Sequence, residues 1–153
     1  MERAPVADSA KTIEEMIEAG TDLLWRFLIP NRKDLSASAT LVLNRVNREG
    51  PMRLTALAAA EDTSQPSMTQ LVQRMERQGL LERLSDPDDG RAALVAISEA
   101  GRQLWDRRTE GRRERLAALL PRLSAHDEMA LWLAAQVAIP ILRRLLQAAD
   151  PKG

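Results

Sequence analysis

A chain of 153 residues that is 44% hydrophobic can fill one buried core, which excludes global disorder, and its 22 Lys+Arg against 22 Asp+Glu argue against indiscriminate coating of nucleic acid. With no Cys and His126 as the one His, disulfides, thiolate metal sites and thiol redox sensing are excluded, so no metal or cofactor is expected. No uninterrupted apolar run reaches about 18–20 residues, and the start Met1-Glu2-Arg3-Ala4-Pro5 lacks a secretory pattern. The expectation is a soluble cytoplasmic protein without a membrane partner.

In chain order, residues 1–7 read as an arm. Ile13, Met16, Ile17, Gly20, Leu23, Leu24, Phe27 and Leu28 then recur in steps of three and four, which predicts one long helix stopped by Pro30. Its apolar face exceeds what a small core can cover and calls for a partner. Ser36 is the expected N-cap of a second helix bearing Leu41, Val42, Leu43 and Val46, closed by Gly50-Pro51. A short helix follows with Leu54, Leu57 and Ala58 inward. After the turn Glu61-Asp62-Thr63, Ser64 caps another helix, with Pro66 just inside it where a missing N–H costs nothing.

On a 3.6-residue wheel that helix puts Met68, Leu71, Val72 and Met75 on one side and Pro66, Gln70, Gln73 and Arg77 on the other, flanked by Ser67, Thr69 and Arg74. Glu76, the nearby acid, points elsewhere. Gly79 ends the helix. Leu80–Ser85 and Ala92–Ile97 read as two strands around the turn Asp86-Pro87-Asp88-Asp89-Gly90-Arg91. Helix, turn, helix and two-stranded wing together form a reader of duplex DNA.

Ser98 caps the next helix, which holds Leu104, Trp105, Leu116, Leu119 and Leu120 and ends at Pro121. Ser124-Ala125-His126-Asp127 starts the last helix like a capping box, with Asp where Glu or Gln is usual. That helix is apolar around much of its circumference, which predicts burial between elements or subunits, and Pro140 inside it predicts a kink.

This order of elements resembles the MarR family of winged-helix transcriptional regulators. The resemblance is carried by Leu57-Ala58, by Ser64-Gln65-Pro66-Ser67-Met68-Thr69-Gln70-Leu71-Val72 and by Met75-Glu76-Arg77-Gln78-Gly79-Leu80-Leu81-Glu82-Arg83. It continues through Asp86-Pro87-Asp88-Asp89-Gly90-Arg91 and Val95-Ala96-Ile97-Ser98-Glu99-Ala100-Gly101. The implied fold is mainly α with a small β-hairpin wing. Residues 1–34 would form an arm and dimerisation helix, 35–100 the winged helix-turn-helix lobe, and 101–153 the helices that complete the dimer lobe. The resemblance also implies a homodimer on a pseudo-palindromic operator, repression, and release by a small, often aromatic, ligand. The chain departs from the family in several places. Arg53 stands where a Ser or Thr cap is usual, no Tyr and a single Phe exclude a pocket of phenol rings, and Pro140 is not expected in the last helix.

Gln70, Gln73, Arg74 and Thr69 are the candidates for base readout, because Gln pairs bidentately with adenine and Arg with guanine. Ser64, Gln65, Pro66 and Ser67 open the helix toward phosphate, Arg77 extends the same face, and Arg91 is the candidate wing contact, inserted into the minor groove or held on phosphate. The acids Asp86, Asp88 and Asp89 read as turn formers, one of which positions Arg91. The arginines between Arg107 and Arg115 read as a solvated face paired with Asp106, Glu110 and Glu114. Trp25, Arg26, Leu28, Leu43 and Trp105 are the candidate lining of an effector pocket. Ile13, Met16, Ile17, Trp132, Ile141, Leu142 and Leu145 are the candidate dimer contacts. An enzyme is not expected, since the chain has no phosphate loop, no nucleophile–base pair and no suitably set carboxylate pair. The competing reading is a winged-helix adaptor or anti-repressor that binds protein, suggested by the zero net charge and acidic wing tip.

Overall fold

The computed structural model describes residues 6–29, 35–89 and 92–149. The elements in order are α1 (Val6–Leu23), a π-helical turn (Leu24–Leu28), α2 (Ala37–Glu49), β1 (Met52–Arg53), α3 (Leu54–Ala60), α4 (Gln65–Arg77), β2 (Leu81–Ser85), β3 (Ala93–Ile97), α5 (Glu99–Leu119), a 3-10 turn (Leu120–Arg122) and α6 (Ala125–Ala149).

The expected hydroxyl caps are made. Ser36 Oγ accepts from the Ala39 amide at 3.2 Å, Ser64 Oγ from Ser67 at 3.4 Å, Ser98 Oγ from Gly101 at 3.0 Å and Ser124 Oγ from Asp127 at 3.1 Å. Each satisfies an amide that the first helical turn leaves without a partner. α3 begins without such a cap, because Arg53 precedes it and makes no side-chain bond to its amides. Gly50 and Gly79 close α2 and α4 at φ of 84° and 73°, where a Cβ would be strained.

The core lies within the segment from α2 to β3. Val42, Leu43 and Val46 of α2, Leu57 of α3, Met68, Val72 and Met75 of α4 and Val95 of β3 are fully buried together. The apolar positions predicted for α2, α3 and α4 are therefore the packed ones, with one correction: Leu41 of α2, expected on the apolar side, is exposed.

Several expectations are corrected. The sheet has three strands in the order β1-β3-β2, all antiparallel, with Arg53 opposite Leu94 and Leu81 opposite Ile97. β1 is too short to carry a period-two pattern. α1 starts at Val6, inside the expected arm, and the first helix does not continue evenly to Leu28. The Ile29 amide reaches back to the Leu24 carbonyl at 2.9 Å, so the last turn is widened by one residue. That residue rotates the face. Leu28 and Ile29 become buried, whereas Phe27, expected on the apolar side, is exposed. Pro30, Gly90 and Arg91 lie outside the described residues.

α6 remains helical on both sides of Pro140, and none of its residues is buried within the chain. It is also, among the described residues, a helix long and apolar enough by average to cross a membrane, with mean hydropathy 1.5. Gln136, Arg143 and Arg144 break the apolar run without lowering that average far, so a test for uninterrupted runs misses it.

Candidate nucleic-acid interface

α4 stands with Met68, Leu71, Val72 and Met75 in the core and Gln65, Pro66, Ser67, Gln70, Gln73, Arg74 and Arg77 exposed. Among the described residues Gln70, Gln73, Arg74 and Arg77 have no hydrogen-bond or ionic partner, so their donors and acceptors are available. Thr69 is different. It is half-buried, and its hydroxyl donates to the Gln65 carbonyl at 2.8 Å, which leaves only lone pairs for another partner. Ser64 and Ser67 share a hydroxyl–hydroxyl bond at 2.9 Å at the head of the helix. Glu76 does point elsewhere. It accepts from Arg83 of β2 at 2.7 Å, which removes a lone acid from the face and ties α4 to the wing.

Ser67, Gln70 and Arg74 open into a groove of about 390 Å³ whose other walls are Ser36, Ser38, Thr63 and Leu71. The hydroxyls of Ser36, Ser38 and Thr63 were not among the sequence candidates. Their only signal is that two capped helix starts, at Ser36 and Ser64, come together in space.

At the root of the wing, Asp86 is the one buried charged residue among those described, 5% exposed. Its Oδ2 accepts from Arg53 Nε at 2.7 Å and forms an ion pair with Nη2 at 2.6 Å, and its Oδ1 accepts from the Asp88 amide at 2.9 Å. The expectation that an acid forms the turn is met by Asp86, whose cation among the described residues is Arg53; Arg91, which an acid of the turn was expected to position, lies outside them. The Asp88 amide, and after it Arg53, holds the Asp86 carboxyl below the usual carboxylate range, and Asp86 raises the Arg53 guanidinium in turn. A depressed carboxylate stabilises the fold fully above its unfolded value, near pH 4, and loses that contribution as pH falls through the lower folded value. Urea unfolding should therefore show a constant stability gap between wild type and Asp86→Asn above about pH 4, shrinking toward zero below it. A gap independent of pH down to about pH 2 would contradict this.

The pocket candidates separate. Leu43 is fully buried in the core, Leu28 is buried, and Trp105 packs against that core. Arg26 is exposed, pairs with Asp22 at 3.3 Å and lies over Phe27. Trp25 alone of that set lines a cleft of about 460 Å³, with Ile29, Leu35, Ser36, Ala37, Thr40 and Arg108.

The α5 arginines are less solvated than expected. Arg113 pairs with Glu110, but Arg112 covers the Trp105 ring at 5.4 Å, and Arg115 donates to the Leu28 carbonyl at 3.3 Å. Burial, helped by Arg108, pushes the Arg112 guanidinium below its ordinary value.

An exposed polar helix face beside a β-hairpin wing in a three-stranded sheet, on a core of three helices, defines a winged helix-turn-helix DNA-binding protein. The MarR family model matches residues 35–93. An uncharacterized HTH-type transcriptional regulator of Mycobacterium bovis is 32% identical over 117 residues, 76% of this chain and 81% of that protein. An HTH-type transcriptional repressor of Pseudomonas putida is 31% identical over 81 residues, 53% of this chain and 48% of that protein. A solved MarR family protein from Bacillus stearothermophilus has the same fold, with a TM-score of 0.67 at 21% identity, covering 97% of this chain and 99% of its own. The chain belongs to the MarR family: it is a DNA-binding HTH-type transcriptional regulator and not an enzyme.

Proposed function

We propose that the protein is a homodimeric repressor that reads a pseudo-palindromic operator in the cytoplasm. Residues 1–34 and 101–153 would supply the dimer lobe and residues 35–100 the reading head. The observation that carries this reading is the pairing of two unpartnered surfaces. One is polar, on α4, with Gln70, Gln73, Arg74 and Arg77 free. The other is apolar, on α1 and α6, with Ile13, Met16, Ile17, Trp132, Ile141 and Leu145 exposed and Leu142 half-exposed. Apolar surface on this scale marks a protein contact. Two copies joined there would set their α4 helices on successive major grooves, about 34–36 Å apart. Repression rests on similarity to the Pseudomonas putida repressor. Burial takes Asp86, one of the three wing-tip acids on which the adaptor reading rests, out of any acidic docking surface, while Asp88 and Asp89 stay exposed.

Ser64, Gln65, Pro66 and Ser67 would lie on phosphate, Thr69, Gln70, Gln73 and Arg74 on bases, and Arg77 and Arg91 on flanking backbone. The test is fluorescence anisotropy on a duplex selected by the wild-type protein from a random-sequence pool. Gln73→Ala should lose about 1–3 kcal/mol of preference at particular base pairs while non-specific binding stays unchanged. Arg91→Ala should weaken binding to all sequences and flatten the salt dependence by about one unit of slope. Equal loss on every sequence for both variants would overturn the assignment.

The cleft lined by Trp25, Ile29, Leu35 and Arg108 is the proposed effector site for a small aromatic or apolar molecule. A 100-fold release of operator requires about 2.7 kcal/mol of preference for the non-binding dimer.

A further inference from the structure

We propose that Arg53 is an additional phosphate-contacting residue at the root of the wing and that Asp86 is the residue that positions it. The inference rests on the reading that the wing lies against DNA.

β1 pairs with β3 so that Arg53 stands opposite Leu94, one residue from the loop end of that strand, and Leu84 of β2 flanks Leu94 from the other side. Arg53 thus sits at the end of the sheet from which the 86–92 turn projects. Its guanidinium is clamped along one edge, with Nε and Nη2 both directed at Asp86 Oδ2. The Nη1 group makes no hydrogen bond among the described residues, and the side chain is 50% exposed. Asp86 is itself held by the Asp88 amide, and its own amide donates to the Ala92 carbonyl at 3.2 Å. The carboxylate is therefore anchored to the turn, and it fixes the fork of the arginine at a set angle.

A guanidinium held on one edge by a buried carboxylate presents its other edge with little remaining rotamer freedom. Planar, forked donors of this kind suit phosphate oxygens, and a pre-oriented fork loses less entropy on binding than a free lysine. The two jobs are separable. Asp86 never touches the nucleic acid, and its removal leaves the Arg53 charge in place but untethered.

The experiment uses the full chain and a duplex selected from a random-sequence pool by the wild-type protein. Each backbone phosphate is replaced in turn by a neutral methylphosphonate, and affinity is measured for wild type, Asp86→Asn and the double variant Arg53→Met with Asp86→Asn. The double variant removes both charges, so no buried carboxylate is left orphaned, and the side-chain carbonyl that replaces the carboxylate still accepts the Asp88 amide. Urea unfolding confirms that each variant is folded. The expected result is one phosphate per half-site whose neutralisation costs wild type about tenfold and costs the double variant nothing. Asp86→Asn should keep that sensitivity at reduced size and bind several-fold more weakly than wild type.

If wild type shows phosphate sensitivities beneath α4 and none that depends on Arg53, the assignment is wrong while DNA binding by the winged helix stands. Full wild-type affinity in Asp86→Asn would overturn the positioning role. Sensitivities at no phosphate would sink the interface reading as a whole.

Discussion

Gly101→Ala is expected to remove most of the chain's stability. A Cβ at Gly101 would collide with the Leu80 carbonyl oxygen and lie 3.0 Å from its carbon. That oxygen is not free to move. It accepts the Ser98 amide at 3.1 Å, while the Leu80 amide is tied to Met75 at 2.9 Å and the Ser98 hydroxyl donates to the Gly79 carbonyl. The first turn of α5 therefore packs directly on the backbone that joins α4 to the wing. Adding one methyl group must push α5 off that turn or open the bonds around it. A loss of about 4 kcal/mol or more is expected, within the range that unfolds many domains of this size. Gly111→Ala is the control. Its nearest neighbour is the movable end of Arg115 at 3.3 Å, and replacing a helical glycine by alanine gains up to about 1 kcal/mol. Thermal and urea unfolding of the two variants should shift in opposite directions. A wild-type midpoint for Gly101→Ala would show that the contact is slack.

Placing aspartate at both Trp132 and Leu145 is expected to hold the protein as a monomer and to lower operator affinity by about 100-fold or more. Both side chains are exposed, at 55% each, so the substitutions remove nothing from the chain's own core. What they remove is apolar surface from the proposed subunit contact, and they add charges that a dry interface cannot solvate. Losing the dimer forfeits the effective concentration of the second reading head, worth 10²–10⁴ in avidity by order of magnitude. Sedimentation and anisotropy on the selected duplex check both halves. A variant that stays dimeric with full affinity would place the contact elsewhere.

Much of the interface was legible locally. Ser36, Ser64, Ser98 and Ser124 announce helix starts by a chemistry that acts within three residues, and each cap is made. The alternation of Met68, Leu71, Val72 and Met75 with Gln70, Gln73 and Arg77 follows from helix geometry, so the buried and open faces of α4 could be read directly. The cleft beside Trp25, proposed above as an effector site, was not legible in this way. Leu43 carries the right chemistry for a pocket wall, but the core that surrounds it is assembled from α3, α4 and β3, elsewhere in the chain.

Local signals in the amino-acid order determined the helix-turn-helix, its caps, the two long wing strands and the free face of α4, because each depends on neighbours within a turn or a strand. Tertiary structure alone decided β1, the widened turn at Leu24–Leu28 and the Arg53–Asp86 clamp. β1 and the clamp join residues far apart in the chain, 33 positions in the case of the clamp, and the widened turn, though its own bond spans five residues, has its Leu28 carbonyl held by Arg115, 87 positions on; no local periodicity encodes which distant partner will satisfy a charge, a carbonyl or a strand edge.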